Sequence, residues 1–245
     1  MKLSAKTSSA ILRVVVCSMA VPLGVTACSD LGPAANHTSD DTSVAGNPAV
    51  IEIHNGSGSV RVTPGNAVQI HREIAYRSHA PSAVPSQANG TLALSADCDN
   101  CRIDYTLTVP AATKISVFGG SGSVDIEGVS EVTYRGGSGS ATIRKIAGPV
   151  DVESGSGSVS LSDVAPAVAA TTKSGDIGIE LSAAPNKLTA HSKSGHISVT
   201  VPAHPYRIDT HTDSGSIHNG IPNVAGAANT LTVASGSGDI DLTTS

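Results

Sequence analysis

Ser156-Gly157-Ser158-Val159-Ser160-Leu161 reads as a tight corner followed by a half-buried strand, and its opening occurs eight times in the chain. The phrase Ser-Gly-(Ser/Asp/His)-(Val/Ile/Ala) begins at Ser57, Ser121, Ser138, Ser156, Ser174, Ser194, Ser214 and Ser237. After a first step of 64 residues, the later steps are 17, 18, 18, 20, 20 and 23. A period of about 20 residues is one turn of a stacked strand repeat. Each phrase opens an alternating segment, such as Val124-Asp125-Ile126, Ile177-Gly178-Ile179 and Ile240-Asp241-Leu242. Period-two alternation puts the aliphatic residues on one face, as in half-buried strands. Second short strands such as Val132-Thr133-Tyr134 and Val150-Asp151-Val152 follow, with Gly128, Gly148, Pro166, Pro185, Pro202 and Pro222 at the joints. One turn alone buries too few aliphatics to offset the ordering of its backbone, so the motif must stack. These features predict an all-β, single-chain parallel β-solenoid. A core of small aliphatics agrees with a composition of one Phe and no Trp.

The corners make two further predictions. The phrase glycines Gly58, Gly122, Gly139, Gly157, Gly175, Gly195, Gly215 and Gly238 are expected in a conformation closed to other residues. The serine before each is expected to bond nearby backbone or the serine one turn away.

The first thirty residues set the address. Lys2, Lys6 and Arg13 precede an apolar run from Val14 to Val25, too short to span a bilayer and typical of an export signal. Val25-Thr26-Ala27-Cys28 resembles the lipobox of bacterial lipoproteins, which implies acylation of Cys28 and a signal peptide over 1–27. Residues 28–47, rich in Ser, Asp, Gly, Asn and Thr, are expected to form a flexible tether. The folded domain is then 48–245, on the outer side of the cytoplasmic membrane or on the outer membrane. Without the leader, 12 Lys and Arg face 20 Asp and Glu, a formal charge of −8. That balance, with no basic cluster, excludes nucleic acid as a partner. Attachment to a membrane therefore falls to the lipid.

The 64-residue step holds longer strands at Val68–Tyr76, Thr91–Ala96 and Arg102–Val109, with a loop from His79 to Gly90. A two-residue turn at Asp99-Asn100 would pair Ala96 with Ile103, Leu94 with Tyr105 and Leu92 with Leu107, making a hairpin with its apolar residues on one face. Cys98 and Cys101 would close it, and in an exported chain they are expected to form a disulfide. A redox Cys-x-x-Cys reading lacks the strand-helix-strand context, and a zinc site lacks a second ligand pair.

No phosphate-binding loop, calcium-binding nonapeptide or Gly-x-Ser-x-Gly elbow occurs. Stacking in chain order would align Asp176, His196 and Ser216 in one surface row, and Lys173, Lys193 and Asp213 in another. Neither has the pocket, buried acid or oxyanion donors that catalysis needs, so both read as solvated faces. Paired hydroxyls such as Ser121/Ser123 and Ser138/Ser140 suggest a regular binding row, but the intervening glycine implies a bend rather than a flat face. No catalytic residue, metal ligand or cofactor site is assigned.

The domain resembles the bacterial putative-adhesin family of β-strand-repeat envelope proteins over about residues 48–245. The resemblance rests on Val50-Ile51-Glu52-Ile53, Gly56-Ser57-Gly58-Ser59-Val60-Arg61-Val62, Leu92–Leu94, Tyr105-Thr106-Leu107-Thr108-Val109-Pro110, and the Ser-Gly-Asp-Ile and Ser-Gly-His-Ile turns. It implies a right-handed β-solenoid at the envelope and brings no catalytic residues. The expected function is a non-enzymatic, lipid-anchored envelope protein whose β-face binds a protein or polysaccharide. The competing readings are an envelope-stress or scaffold accessory acting on a membrane partner, and a polysaccharide-active β-helix enzyme, which would need a carboxylate cluster beside Arg or Lys.

Overall fold

The computed structural model describes residues 35–81, 85–95, 100–164 and 166–245. The expected signal peptide, Cys28 and Cys98 lie outside them. Strands dominate, and no helix among the described residues is long and apolar enough to cross a membrane. The first seven strands are β1 (Asn36–Val44), β2 (Val50–Asn55), β3 (Val60–Pro64), β4 (Val68–Tyr76), β5 (Ser86–Ala88), β6 (Thr91–Ser95) and β7 (Cys101–Val109). Next come β8 (Lys114–Gly119), β9 (Val124–Glu127), β10 (Glu131–Gly136), β11 (Ala141–Ile146), β12 (Val150–Ser154), β13 (Val159–Val164) and β14 (Ala167–Thr172). The rest are β15 (Ile177–Glu180), β16 (Lys187–Ser194), β17 (Ile197–Val201), β18 (Tyr206–Ser214), β19 (Ile217–Asn219), β20 (Asn229–Ser237) and β21 (Ile240–Thr244).

These strands make two sheets. The first has eleven strands in the order β1-β4-β7-β3-β9-β11-β13-β15-β17-β21-β19, and the second has ten in the order β18-β20-β16-β14-β12-β10-β8-β2-β6-β5. From β8 to β17 the chain alternates between sheets, so each rung contributes one strand to each and pairs in parallel with the rung before. The alternation seen in the sequence becomes columns of side chains between the sheets. In the first sheet Val124, Ala141, Val159, Ile177 and Ile197 align. In the second sheet Ile115, Val132, Val150, Val168 and Leu188 align. All are 3% exposed or less. Branched aliphatics suit this pleated, doubly covered setting because their stiff side chains lose little freedom there.

Rung order and chain order part company at both ends. β20 lies between β16 and β18, and β21 between β17 and β19. Likewise β2 lies between β6 and β8, and β3 between β7 and β9. The repeat spacing alone carries no information on this interleaving, because every phrase offers the same pairing edge.

Two expectations are corrected. Residues 36–44 of the expected tether form β1, paired antiparallel to β4 over nine residues. The segment lacks apolar content, but Asp40 takes two hydrogen bonds from Arg72, 9% exposed, and Val44 packs against the core. Polar pairing holds a strand that hydrophobicity alone did not reveal.

The hairpin of β6 with β7 does not form. β6 lies in the second sheet beside β2, and β7 in the first between β4 and β3. Leu92, Leu94, Ile103, Tyr105 and Leu107 are buried as expected, because the two sheets face one core from opposite sides. The apolar pattern therefore fitted a hairpin and a two-sheet arrangement equally well. The hairpin of this region is β5 with β6, Ala88 opposite Thr91 across Asn89-Gly90. Both turn residues have positive φ, 51° and 79°, as a type I′ turn requires.

Candidate functional site

The corners come first, since they fix where every outward side chain stands. A Cβ on Gly122, Gly139, Gly157, Gly175 or Gly195 would overlap the carbonyl of the corner glycine one rung before. The need there is close approach of backbone to backbone. A left-handed conformation, expected at all eight corners, occurs only at Gly58, Gly215 and Gly238, with φ of +114°, +150° and +147°. Of the eight phrase serines expected to bond backbone or one another, only Ser57 does so with its side chain among the described residues, donating to the Cys101 carbonyl at 3.0 Å.

A second device went unread in the sequence. The residue three before the corner glycine points inward and serves the corner. Asn55 donates to the Gly58 carbonyl at 2.8 Å, and Ser154 accepts from the Gly157 amide at 3.2 Å. Thr172 and Ser192 both reach the Gly175 carbonyl, at 2.7 and 3.2 Å, and lie 3.0 Å from each other. Ser235 donates to the Gly195 carbonyl at 3.0 Å. Thr172, Ser192 and Ser235 are 2% exposed or less. Where that position is Gly136, the hydroxyl of Tyr134 occupies the space and reaches the Gly139 carbonyl at 3.4 Å. The signal was present: Asn, Ser or Thr recurs three residues ahead of six of the eight corner glycines.

The interleaved ends rearrange the surface rows. His196 is followed by Asp239, and Ser216 lies one rung further out. Asp176 accepts from the His196 amide at 2.9 Å, and Asp239 from the Ser216 amide at 2.8 Å. The row Asp176–His196–Ser216 is thus broken, and its carboxylates cap backbone amides. The row of Lys173, Lys193 and Asp213 is broken likewise, with Gly236 between the last two.

A charged patch around an exposed aromatic ring lies on the outer face of the second sheet. Parallel register aligns His54, Phe118, Arg135 and Glu153, and beside them Glu52, Ser116, Thr133 and Asp151. The Phe118 ring stacks on His54 with centroids 4.8 Å apart, yet Phe118 stays 38% exposed. Glu52 holds the His54 ring at 2.6 Å. On the other flank Arg135 is clamped by Asp151 at 2.5 Å and Glu153 at 3.3 Å, and donates to the Tyr134 and Asp151 carbonyls. Lys114 and Glu131 pair at 2.7 Å on the same face. The patch offers one apolar ring between a cation and an imidazole, in a setting held by charge pairs. The corresponding face of the first sheet has a tighter network, where Lys145 and Arg144 bonds hold the Glu127 carboxyl below its usual range.

One recess opens near the β1 end, lined by Thr42, Ile70, Arg72, Pro85, Leu94 and Tyr105. It has space for about one water. Arg72 Nη1 and the Tyr105 hydroxyl are buried in it without a protein partner. Burial works against the Arg72 charge, but the bonds and charge of Asp40 outweigh it and raise its pKa. Burial raises the Tyr105 pKa against the opposing pull of Arg72. Among the described residues no group of three His, Cys, Asp or Glu is placed to hold a metal ion.

A solved structure shows the same fold, and two others resemble the chain more distantly. A putative adhesin from Bacteroides fragilis is 19% identical, covers 86% of this chain and 97% of its own, and superposes with a TM-score of 0.56. A putative cell adhesion protein from Clostridium sporogenes is 13% identical, with 86% and 100% covered and a TM-score of 0.42. A putative lipid binding protein from Parabacteroides distasonis is 18% identical, with 84% and 96% covered and a TM-score of 0.43. No curated protein matches the chain. The Toastrack DUF4097 family model matches residues 48–243, four-fifths of the sequence, and the chain belongs to that family.

Proposed function

We propose that the chain is a non-enzymatic, adhesin-like envelope lipoprotein, built as a right-handed parallel β-solenoid and anchored through an acylated Cys28. Its outer second-sheet face grips a protein or polysaccharide ligand around Phe118. The observation that carries the reading is that ring. It is one of only three large hydrophobics exposed among the described residues, fixed on His54 and flanked by Arg135. A ring already held in place loses little freedom on binding. Covering its exposed third removes about 75 Å² of apolar surface, worth about 2 kcal/mol or roughly a 30-fold gain in affinity.

The full chain in detergent, tested on glycan arrays and in envelope-protein pull-downs, retains a ligand that Phe118→Ser loses while folding normally. Unchanged capture by Phe118→Ser, or no capture by the parent, refutes the assignment. Acyl-probe labelling that persists in Cys28→Ala refutes the anchor. The Cys98–Cys101 disulfide belongs to the same proposal, supported by Cys101 being a bonded rather than a titrating sulfur. Free thiols at both positions in the exported protein refute it.

A further inference from the structure

We propose that the β18 end of the stack is a self-association surface, where the outer edge of β18 pairs antiparallel with β18 of a second copy about a two-fold axis at Thr212. β18 and β19 are the terminal strands of the two sheets at that end. A terminal strand carries unspent main-chain groups and is a template for another strand. Here only half of the edge is blocked. The Tyr206 carbonyl accepts from the Val224 amide at 2.8 Å. The Asn223 side chain imitates a neighbouring strand at Ile208, accepting from its amide and donating to its carbonyl, both at 3.0 Å. Since Tyr206 and Ile208 face outward along the edge, strand alternation turns the main-chain groups of Thr210 and Thr212 outward too. Beyond Ile208 no side-chain hydrogen bond of the described residues reaches the main chain of Thr210 or Thr212.

Charge then selects the register. A two-fold centred on Thr210 would set Asp209 against His211 and Arg207 against Asp213, but it needs the Ile208 edge that Asn223 occupies. Centring on His211 places Asp209 opposite Asp213, a like-charge pair that destabilises. Centring on Thr212 avoids the Ile208 edge, leaves the Ser214 carbonyl on the Gly238 amide it already accepts from, and puts each His211 opposite the second copy's Asp213. Within one chain those side chains already meet at 2.9 Å, so their charges and reach are matched. The same two-fold, running along the sheet normal, brings β19 toward its own copy. Ile217, 40% exposed on β19, and Val224, 42% exposed beside β18, provide apolar area at that end. An interface that maps onto itself closes at two copies.

The test uses two full-length variants, His211→Cys and Asp213→Cys, one of them carrying a mass tag. Opposed residues between ladder bonds lie about 4.5 Å apart at Cα, close enough for a disulfide. Under diamide, with the parent chain as baseline, the mixture is expected to give a cross-link between tagged and untagged chains that neither variant gives alone. Thr212→Pro, which removes an edge amide, is expected to convert a sedimenting dimer to monomer, whereas Thr212→Val, which loses only the hydroxyl bond to the Gly238 carbonyl, keeps the dimer. Failure of the mixture to cross-link, equal cross-linking by His211→Cys alone, or a parent that sediments as a monomer or an open polymer overturns the proposal.

Discussion

Thr172 and Ser192 share one buried acceptor, and this makes the cost of removing them non-additive in a predictable direction. Two hydroxyls serve the Gly175 carbonyl, at 2.7 and 3.2 Å. Thr172→Val keeps the side-chain volume and leaves Ser192 donating to that carbonyl. Ser192→Ala leaves Thr172 donating. Each single change therefore loses one hydrogen bond, about 1 kcal/mol, while the carbonyl stays satisfied. The double variant strands a buried carbonyl and adds its desolvation penalty of about 1–3 kcal/mol, for a total of roughly 3–5 kcal/mol. Urea unfolding of the parent, both singles and the double, read by linear extrapolation, measures the excess over additivity. A double-variant loss equal to the sum of the singles, within about 0.5 kcal/mol, refutes the shared-acceptor account of the corners.

Three other outcomes follow from the same geometry. Gly157→Ala forces a Cβ into the Gly139 carbonyl and costs about 1–3 kcal/mol, whereas Gly178→Ala, with open space around it, stabilises by about 0.4–1 kcal/mol; thermal melts of the pair separate crowding from composition. Gly90→Ala costs about 1–2 kcal/mol although nothing lies near its Cβ, because the φ of +79° is strained for any other residue; denaturant midpoints check it. Burial raises the phenol pKa of Tyr105 and Tyr134 above the ordinary 10.0. Their contribution is complete below pH 10 and is lost as pH rises through the raised values, so stability falls on the alkaline side and Tyr134→Phe makes that fall shallower.

The fold was legible where a residue's role depended on its own neighbourhood. The eight phrases located their corners, and alternation identified Val124, Val150 and Ile177 as core. It failed where the answer depended on which of several equivalent edges a strand selects. Leu92 and Tyr105 were buried as read but assigned to one hairpin instead of two facing sheets. The Asn89-Gly90 pair, which reads as the end of a loop, is the hairpin turn. The order of the terminal rungs, and hence the breaking of the Asp176–His196–Ser216 row, lies beyond any reading of spacing. Phe118 was noted only as the lone Phe, since its stacking on His54 joins residues 64 positions apart, the length of the first step.

The placement of β20 and β21 between the two preceding rungs has a consequence for assembly. β18 and β19 cannot reach their final neighbours until residues 229–244 have arrived and been inserted. As the chain folds, the stack therefore closes like a drawer pushed in last, from within. Deleting that segment would not shorten the column by a step. It would leave an unfilled slot beneath an outer layer that has nothing to rest on.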